Sequence, residues 1–371
     1  MFERVDDSSG RVQVVYHQAI AALGELTPKL VADDAAELPA RILAALGDSA
    51  HGYLVDVAQA VVPHLPEPVL RAWDGELADR QRGHEAKDNR AGDRDRRFHA
   101  SQYRDIRQLI ADSLGDLDGL IALEAKKHPN LQDTIGIATR LLEAGRFDEA
   151  LEWIRRPASS SIAYMSTDDL ADGLEPHDIG TIARTTLEAR ILKALGRKDE
   201  AQSLRWSAFE AWLHAGTLRE YIAALPDFED VEALDRAFAF ALASPHIYKA
   251  LTFLMEWPRL DLAARHVVAH QGEWDGRHYY TLPPAADALA HEYPLAASLI
   301  YRALLDDILS RARSKAYPHA ARYLGILDVL SSDADAQAGD NPAHIPHPDY
   351  RAGLTKTHGR KSGFWSLVMP D

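Results

Sequence analysis

The chain of 371 residues contains no cysteine, which removes disulfides, thiolate nucleophiles and cysteine-ligated zinc together. Long apolar runs are also missing, and none approaches the roughly 18–20 residues a bilayer-spanning helix needs. The opening MFERVDDSSGRV lacks the apolar core of a secretion signal. Positive charge is in deficit, with 41 Lys and Arg against 56 Asp and Glu, a formal net charge of −15. That balance disfavours general attraction to nucleic acid or anionic membrane, though it leaves room for a local basic patch. No Gly-x-Ser-x-Gly elbow, phosphate-binding Gly-x-x-x-x-Gly-Lys run or dinucleotide fingerprint occurs. The carboxylate pairs Asp168/Asp169 and Asp306/Asp307 are adjacent in sequence, so on a helix they point apart and read as solvated faces and caps. Together these absences make a soluble, cytoplasmic protein without cofactor or membrane contact the expectation, and they leave no catalytic constellation.

What is present is helical in character. Hydrophobic residues make up 46% of the chain, much of it alanine with few β-branched runs, which favours closely packed helices over sheet. The organising stretch runs from Leu187 to Leu213, LEARILKALGRKDEAQSLRWSAFEAWL, and reads as two helices joined by a tight turn. A shorter copy, LLEAGRFDEALEWI, precedes it at 141–154, and Gly-Arg-x-Asp-Glu-Ala aligns in both at an offset of 51 residues. In the first copy Phe147, Ala150, Leu151 and Ile154 mark one helix face. Gly145 and Gly196 suit the left-handed position that ends a helix, and the carboxylates after them suit the start of the next. Such an echo predicts antiparallel hairpins that bury their apolar faces against neighbours. The spacing departs from the usual tetratricopeptide period of about 34, so the array is a degenerate one.

Taken in order, an amphipathic helix is predicted over 11–26 after the capping loop Asp6–Gly10, which lacks the ligand alternation of a calcium loop. Further helices follow at 34–46, 53–65 and 67–80. Between Arg80 and Arg107 there are nine Lys and Arg against five Asp and Glu, and 81–97 is nearly devoid of apolar residues. This reads as a solvated loop or charged helix extension, with a phosphate-contacting arm as the alternative. Helices resume at 101–114 and 116–128, and a polar, turn-rich stretch at 156–178 separates the two hairpin copies. Later helices are punctuated by Pro226, Pro245 and Pro258, with pairs at 283–292 and 294–312, a long helix at 314–330 and a turn-rich tail at 331–348. The expected organisation is N-terminal hairpins at 1–80, a charged linker at 81–99, a helical array at 100–330, and a tail with a capping segment at 331–371.

LRWSAFEAWL followed by Leu225-Pro226-Asp227-Phe228, YPLAASLIYRALLDDIL, RSKAYPHAARYL and the closing His-Gly-Arg-Lys-Ser-Gly-Phe-Trp at 358–365 resemble an uncharacterised family of bacterial proteins. Phe2-Glu3-Arg4 and Asp6-Asp7-Ser8-Ser9-Gly10 extend the likeness over nearly the whole chain. The resemblance implies an all-α fold, an α-solenoid related to tetratricopeptide arrays, and transfers no activity or catalytic residue. Family members carry a further N-terminal region ahead of Phe-Glu-Arg, so this chain is expected to be a shorter or truncated member whose first helix exposes a face.

Candidate sites are few. His266 and His270 share a helix face and could bind a cation with Glu273 or His278, but the Glu a metalloprotease helix needs after the first His is missing. Two interface histidines are the plainer reading, and a turn explains His344, His347 and His358. The aromatic stripe Trp206, Phe209, Trp212, Tyr221 and Phe228 reads as core. At the C-terminus Arg311, Arg313, Lys315 and Arg322 have no acidic residue between them, as do Arg351, Lys356, Arg360 and Lys361. With Tyr317, Tyr323, Tyr350, Phe364 and Trp365 interleaved, they form either a docking surface or a cap on the last helices. The expected binding surface is Arg313, Lys315, Tyr317, Arg322, Tyr323, Arg360, Lys361, Phe364 and Trp365. The leading expectation is a non-enzymatic scaffold that binds another protein. Its alternatives are a nucleic-acid-associated protein using 80–107 and 311–361, and a metal-dependent hydrolase at His266 and His270. Oligomeric state is open.

Overall fold

A computed structural model describes residues 11–46, 53–85, 94–157 and 176–368, which form α-helices joined by turns and short 3-10 segments, with no strand among them. The Asp6–Gly10 loop, the middle of the charged 81–99 stretch and most of the polar 156–178 stretch lie outside these residues. The chain divides into two compact units, Met1–Ser161 and Ile162–Asp371.

In the first unit, α1 (Arg11–Leu26), α2 (Ala32–Leu46), α3 (Tyr53–Val61), α4 (Glu67–Glu85) and α5 (Arg94–Ser113) are followed by α6 (Leu117–Ala125), α7 (Thr134–Glu143) and α8 (Phe147–Ile154). Leu54, Val61, Trp73, Leu77 and Ile106 form its apolar centre. The flanks of the charged stretch are helical, because α4 runs on to Glu85 and α5 begins at Arg94. Arg80 and Arg82 close ion pairs on Glu76 and Asp79 one turn back, and Arg107 reaches Asp74 at 2.8 Å.

The second unit contains α9 (Pro176–Ala194), α10 (Lys198–Trp212), α11 (Ala215–Ile222), α12 (Glu229–Ala243), α13 (Ile247–Glu256), α14 (Leu260–Ala269), α15 (Leu282–Leu289), α16 (Pro294–Ser310), α17 (Tyr317–Ala338), α18 (His347–His358) and α19 (Ser362–Val368). One continuous core runs through it from Phe209 to Phe364.

The predicted turn between the paired helices is present in both copies. Gly145 and Gly196 have φ of 75° and 77°, the left-handed region where a side chain is strained. Around Gly145 the N–H of Arg146 bonds the carbonyl of Leu141 while that of Gly145 bonds Leu142. Around Gly196 the pairs are Arg197 to Leu192 and Gly196 to Lys193. This is the Schellman pattern, which satisfies carbonyls that a helix end leaves orphaned. Arg146 and Arg197 then each pair with the Glu three residues on, Glu149 and Glu200. The same two backbone bonds recur where the copies were not legible. One case is α5–α6, at Gly115 with φ 67°; the other is α16–α17, where Ala312 takes φ 52°.

Two local expectations differ from the structure. The long helix expected to stop at 330 continues to Ala338, because Ala334 and Ala338 extend the buried stripe of Ala320, Leu324 and Leu327 at helical spacing. In the aromatic stripe Phe209 is fully buried, and Trp206 and Tyr221 pack at the core edge with Arg236 over the Trp206 ring at 3.5 Å. Phe228 departs from it. It stands 90% exposed with φ 75° at the start of α12, so backbone geometry turns it away from the stripe.

Candidate functional site

α16 is buried over most of its circumference, yet one stripe carries polar groups. Leu299, Arg302, Ala303, Asp306, Asp307 and Ser310 recur at helical spacing and form one wall of a cleft of about 630 Å³. The loop after α14, residues 271–276, forms the facing wall, with Ile345 from the segment leading into α18 and Tyr350 from the first turn of α18 itself. Gly276 lets that loop approach α16, since a Cβ there would stand 2.3 Å from the Ala303 carbonyl oxygen and 2.7 Å from Asp307 Cβ. Asp306 and Asp307, expected to diverge, both line the cleft. Their side chains differ by one helical step of about 100°, and the wall is broad enough to take both.

The charges in the cleft are arranged unusually. Arg302 is only 8% exposed, and its Nη1 donates to the carbonyl of Ile345 at 2.7 Å. Its Nε has no hydrogen-bond partner, and among the described residues no carboxylate stands within ion-pair distance. Burial pushes its pKa down, against the charges of Tyr350, Asp335 and Asp306, but a guanidinium stays protonated at any ordinary pH. Tyr350 engages both signs at once. Its ring lies 4.6 Å from the Arg302 guanidinium carbon, and its hydroxyl donates to Asp306 Oδ1 at 2.8 Å. Arg302 and Asp306 stand four residues apart on one helix, where a salt bridge usually forms, yet each is engaged by Tyr350 instead. Asp306 as a residue is exposed, but its carboxyl is crowded by protein atoms, and this desolvation raises its pKa against the Tyr350 bond. Burial likewise raises Tyr350, reinforced by the Asp306 charge. Asp307 faces Arg311 at 3.5 Å and Arg313 at 3.6 Å.

A strap from α17 to α18 holds Ile345 in place. His344 Nε2 and His347 Nε2 each lie 2.7 Å from a carboxylate of α17, Asp335 and Asp328 respectively. Gln271 donates to the Ala343 carbonyl at 2.7 Å, tying the facing loop to the same strap. The two histidines thus position a wall of the cleft.

The expected C-terminal surface resolves into a buried part and a rim. Phe364 is fully buried in the core, its ring 6.0 Å from Tyr317 and 4.9 Å from Trp365, and Trp365 Nε1 donates to the His358 carbonyl at 3.0 Å. Tyr323 belongs to the buried part as well. It is buried against Tyr301 with ring centroids 5.5 Å apart. Of the basic residues, Arg313 is drawn to Asp307 and Arg322 lies 5.3 Å from the Tyr323 ring. Lys315 and Arg360 are exposed, and Lys361 is half-buried.

His266 and His270 do come together, with ring centroids 4.6 Å apart. His266 is buried, and its Nε2 lies 2.9 Å from the Ile247 carbonyl oxygen, which can only accept, so that nitrogen carries a proton. His270 Nδ1 lies 3.0 Å from Glu273, while His278 stacks on Tyr248 at 3.7 Å. No group of three or more His, Asp or Glu among the described residues is placed to hold a metal ion. Sequence reasoning missed Arg302 as a site residue. Its signal was a lone arginine inside the apolar run YPLAASLIYRALL, where a charge must be either snorkelled out or put to use.

Comparison with protein-family models matches residues 1–367 to the family described as a family of unknown function (DUF6880), and the chain belongs to that family. No curated protein matches the chain, and no solved structure does.

Proposed function

Within that family we propose that this chain is a non-enzymatic scaffold, a degenerate tetratricopeptide-like α-solenoid that presents a helical surface to a protein partner. The observation that carries the reading is the recurring hairpin turn, with the same pair of backbone bonds at Gly115, Gly145, Gly196 and Ala312. A hairpin of this kind cannot bury its apolar face alone, so repeated hairpins stack, and stacked hairpins offer extended surfaces for recognition. The pairing of basic residues weighs against the nucleic-acid alternative. Arg80, Arg82 and Arg107 are held by Glu76, Asp79 and Asp74, and Arg351 by Asp328. The protein bond on His266 Nε2 weighs against a metal-dependent hydrolase.

Native mass spectrometry of the protein gently isolated from its own cells tests this. The expected result is a complex carrying a defined polypeptide at fixed stoichiometry. Co-isolated oligonucleotide, or a bare chain even after crosslinking inside the cell, would overturn it.

A further inference from the structure

The cleft beside α16 carries a charge pattern that the scaffold reading alone does not use. Arg302 is a recessed guanidinium that lines the cleft, with Nη1 engaged by the Ile345 carbonyl and, among the described residues, no carboxylate within ion-pair distance. A buried charge is costly unless it is paired, so a cation kept unpaired beside a cavity suits an anion that arrives from outside. Four residues along the same wall, about 6 Å of helix rise, stands Asp306, while Asp307 beside it is already held by Arg311 and Arg313. The cleft therefore offers a planar donor for an anion at one point and the Asp306 carboxylate for a cation about one helical turn, ~6 Å of rise, along the same wall. Its volume of about 630 Å³ lies within the roughly 300–1,000 Å³ typical of ligand sites.

These distances select the ligand. A lone phosphate or carboxylate would satisfy Arg302 and be repelled by Asp306. A free amino acid with a neutral side chain carries its two charges on neighbouring atoms, too close together to span from Arg302 to Asp306. Free lysine or arginine would bring its α-ammonium against the Arg302 guanidinium, where a chain end has an uncharged amide. A chain end with a free carboxylate and a lysine or arginine side chain on the same residue places the charges at the required separation. Only an end group reaches a cation that is 8% exposed without the backbone having to follow it in.

We propose that the cleft captures the C-terminal residue of a polypeptide ending in lysine or arginine, with the terminal carboxylate on Arg302 and the side-chain cation on Asp306. This rests on the reading of the chain as a protein-binding scaffold and names the feature of the partner that one site recognises. Tyr350 is the positioning residue, because its contacts with both Arg302 and Asp306 stand in place of a direct salt bridge that would close the site.

Isothermal titration of the full chain with short peptides decides it. Gly-Gly-Lys with a free carboxylate should bind, and its C-terminal amide should bind at least tenfold more weakly. Arg302→Lys keeps a buried cation but loses the planar donor edge, and should cost at least tenfold in affinity at an unchanged melting temperature. Should that variant melt early, Asp306→Asn serves instead. It leaves Arg302 in place and should weaken Gly-Gly-Lys several-fold while leaving Gly-Gly-Leu unaffected. Equal binding of acid and amide, no heat at millimolar peptide, or equal effects of Asp306→Asn on both peptides would overturn the proposal. A stoichiometric partner found in cells alongside any of those results would remove this site assignment and leave the scaffold reading standing. Peptide binding without such a partner would do the reverse.

Discussion

Ala312 is one of three residues other than glycine with positive φ among the described residues, beside Leu213 and Phe228. It fills the left-handed position of the α16–α17 turn at φ 52°, where its counterparts in the other hairpins are Gly115, Gly145 and Gly196. A Cβ in that region costs about 1–2 kcal/mol, partly offset by the lower entropy of an unfolded chain with alanine there. Ala312→Gly is therefore expected to stabilise the protein by about 0.5–1 kcal/mol, and Gly196→Ala to destabilise it by about 1 kcal/mol, read by urea unfolding. Opposite signs for the two variants test the turn assignment more sharply than either alone. His266 carries the second residue-scale prediction. Burial holds its pKa below the ordinary value, as it does for His278 and His358. A folded pKa below the unfolded value of about 6.5 means that the unfolded chain takes up protons first as pH falls. The contribution is thus fully present above about pH 6.5 and declines as pH drops through that value towards the folded pKa. Melting temperature should fall between pH 7.5 and 5.5, and His266→Gln, which keeps a donor for the Ile247 carbonyl, should fall less steeply. Parallel curves for the two proteins would clear His266 of the effect.

The helices themselves were the legible part of the chain. Proline and glycine punctuation placed α1, α8 and α10 almost to the residue, because those breaks act through backbone geometry that neighbours cannot override. The extension of α17 through Ser331–Ala338 was not legible, since small and polar residues give no strong periodic signal until a facing surface makes Ala334 and Ala338 its contact points. The cleft was hidden for a related reason. It is assembled from α16, a loop and a strap near Tyr350, and no local pattern announces that a lone arginine and an aspartate will share a tyrosine. At the C-terminus the sequence left cap and docking surface open, and α19 packs on α17 with Phe364 at the contact. Phe364 is fully buried and contacts Tyr317, the burial a capping role requires. Truncating it to alanine removes a whole buried ring and should cost about 3–5 kcal/mol. Arg360→Ala, on an exposed residue, should change stability by less than about 0.5 kcal/mol. Denaturant titration of both variants checks the division. A Phe364→Ala protein as stable as the parent would mean that α19 is not holding the core closed.

At the scale of the molecule, each of the two units has its own apolar core, with Leu54, Trp73 and Ile106 in one and Phe209, Phe253 and Tyr301 in the other. Cooperative unfolding follows the continuity of such cores, because losing packing at one point exposes what is packed against it. Leu54 and Phe253 are both fully buried, so Leu54→Ala and Phe253→Ala should each cost about 2–5 kcal/mol. The physical consequence is a difference in where that cost appears. Hydrogen exchange followed by mass spectrometry should show Leu54→Ala accelerating exchange in α3, α4 and α5, and Phe253→Ala accelerating it in α10, α13 and α16. Each set surrounds the core from which the side chain was removed. Because the proposed peptide cleft is built entirely from the second core's elements, Phe253→Ala should also weaken peptide binding near its lowered melting point, whereas Leu54→Ala should leave the titration unchanged. Two variants that accelerate exchange over the same residues, and to the same degree, would show one cooperative body in place of two and would remove the basis for assigning the cleft to the second core alone.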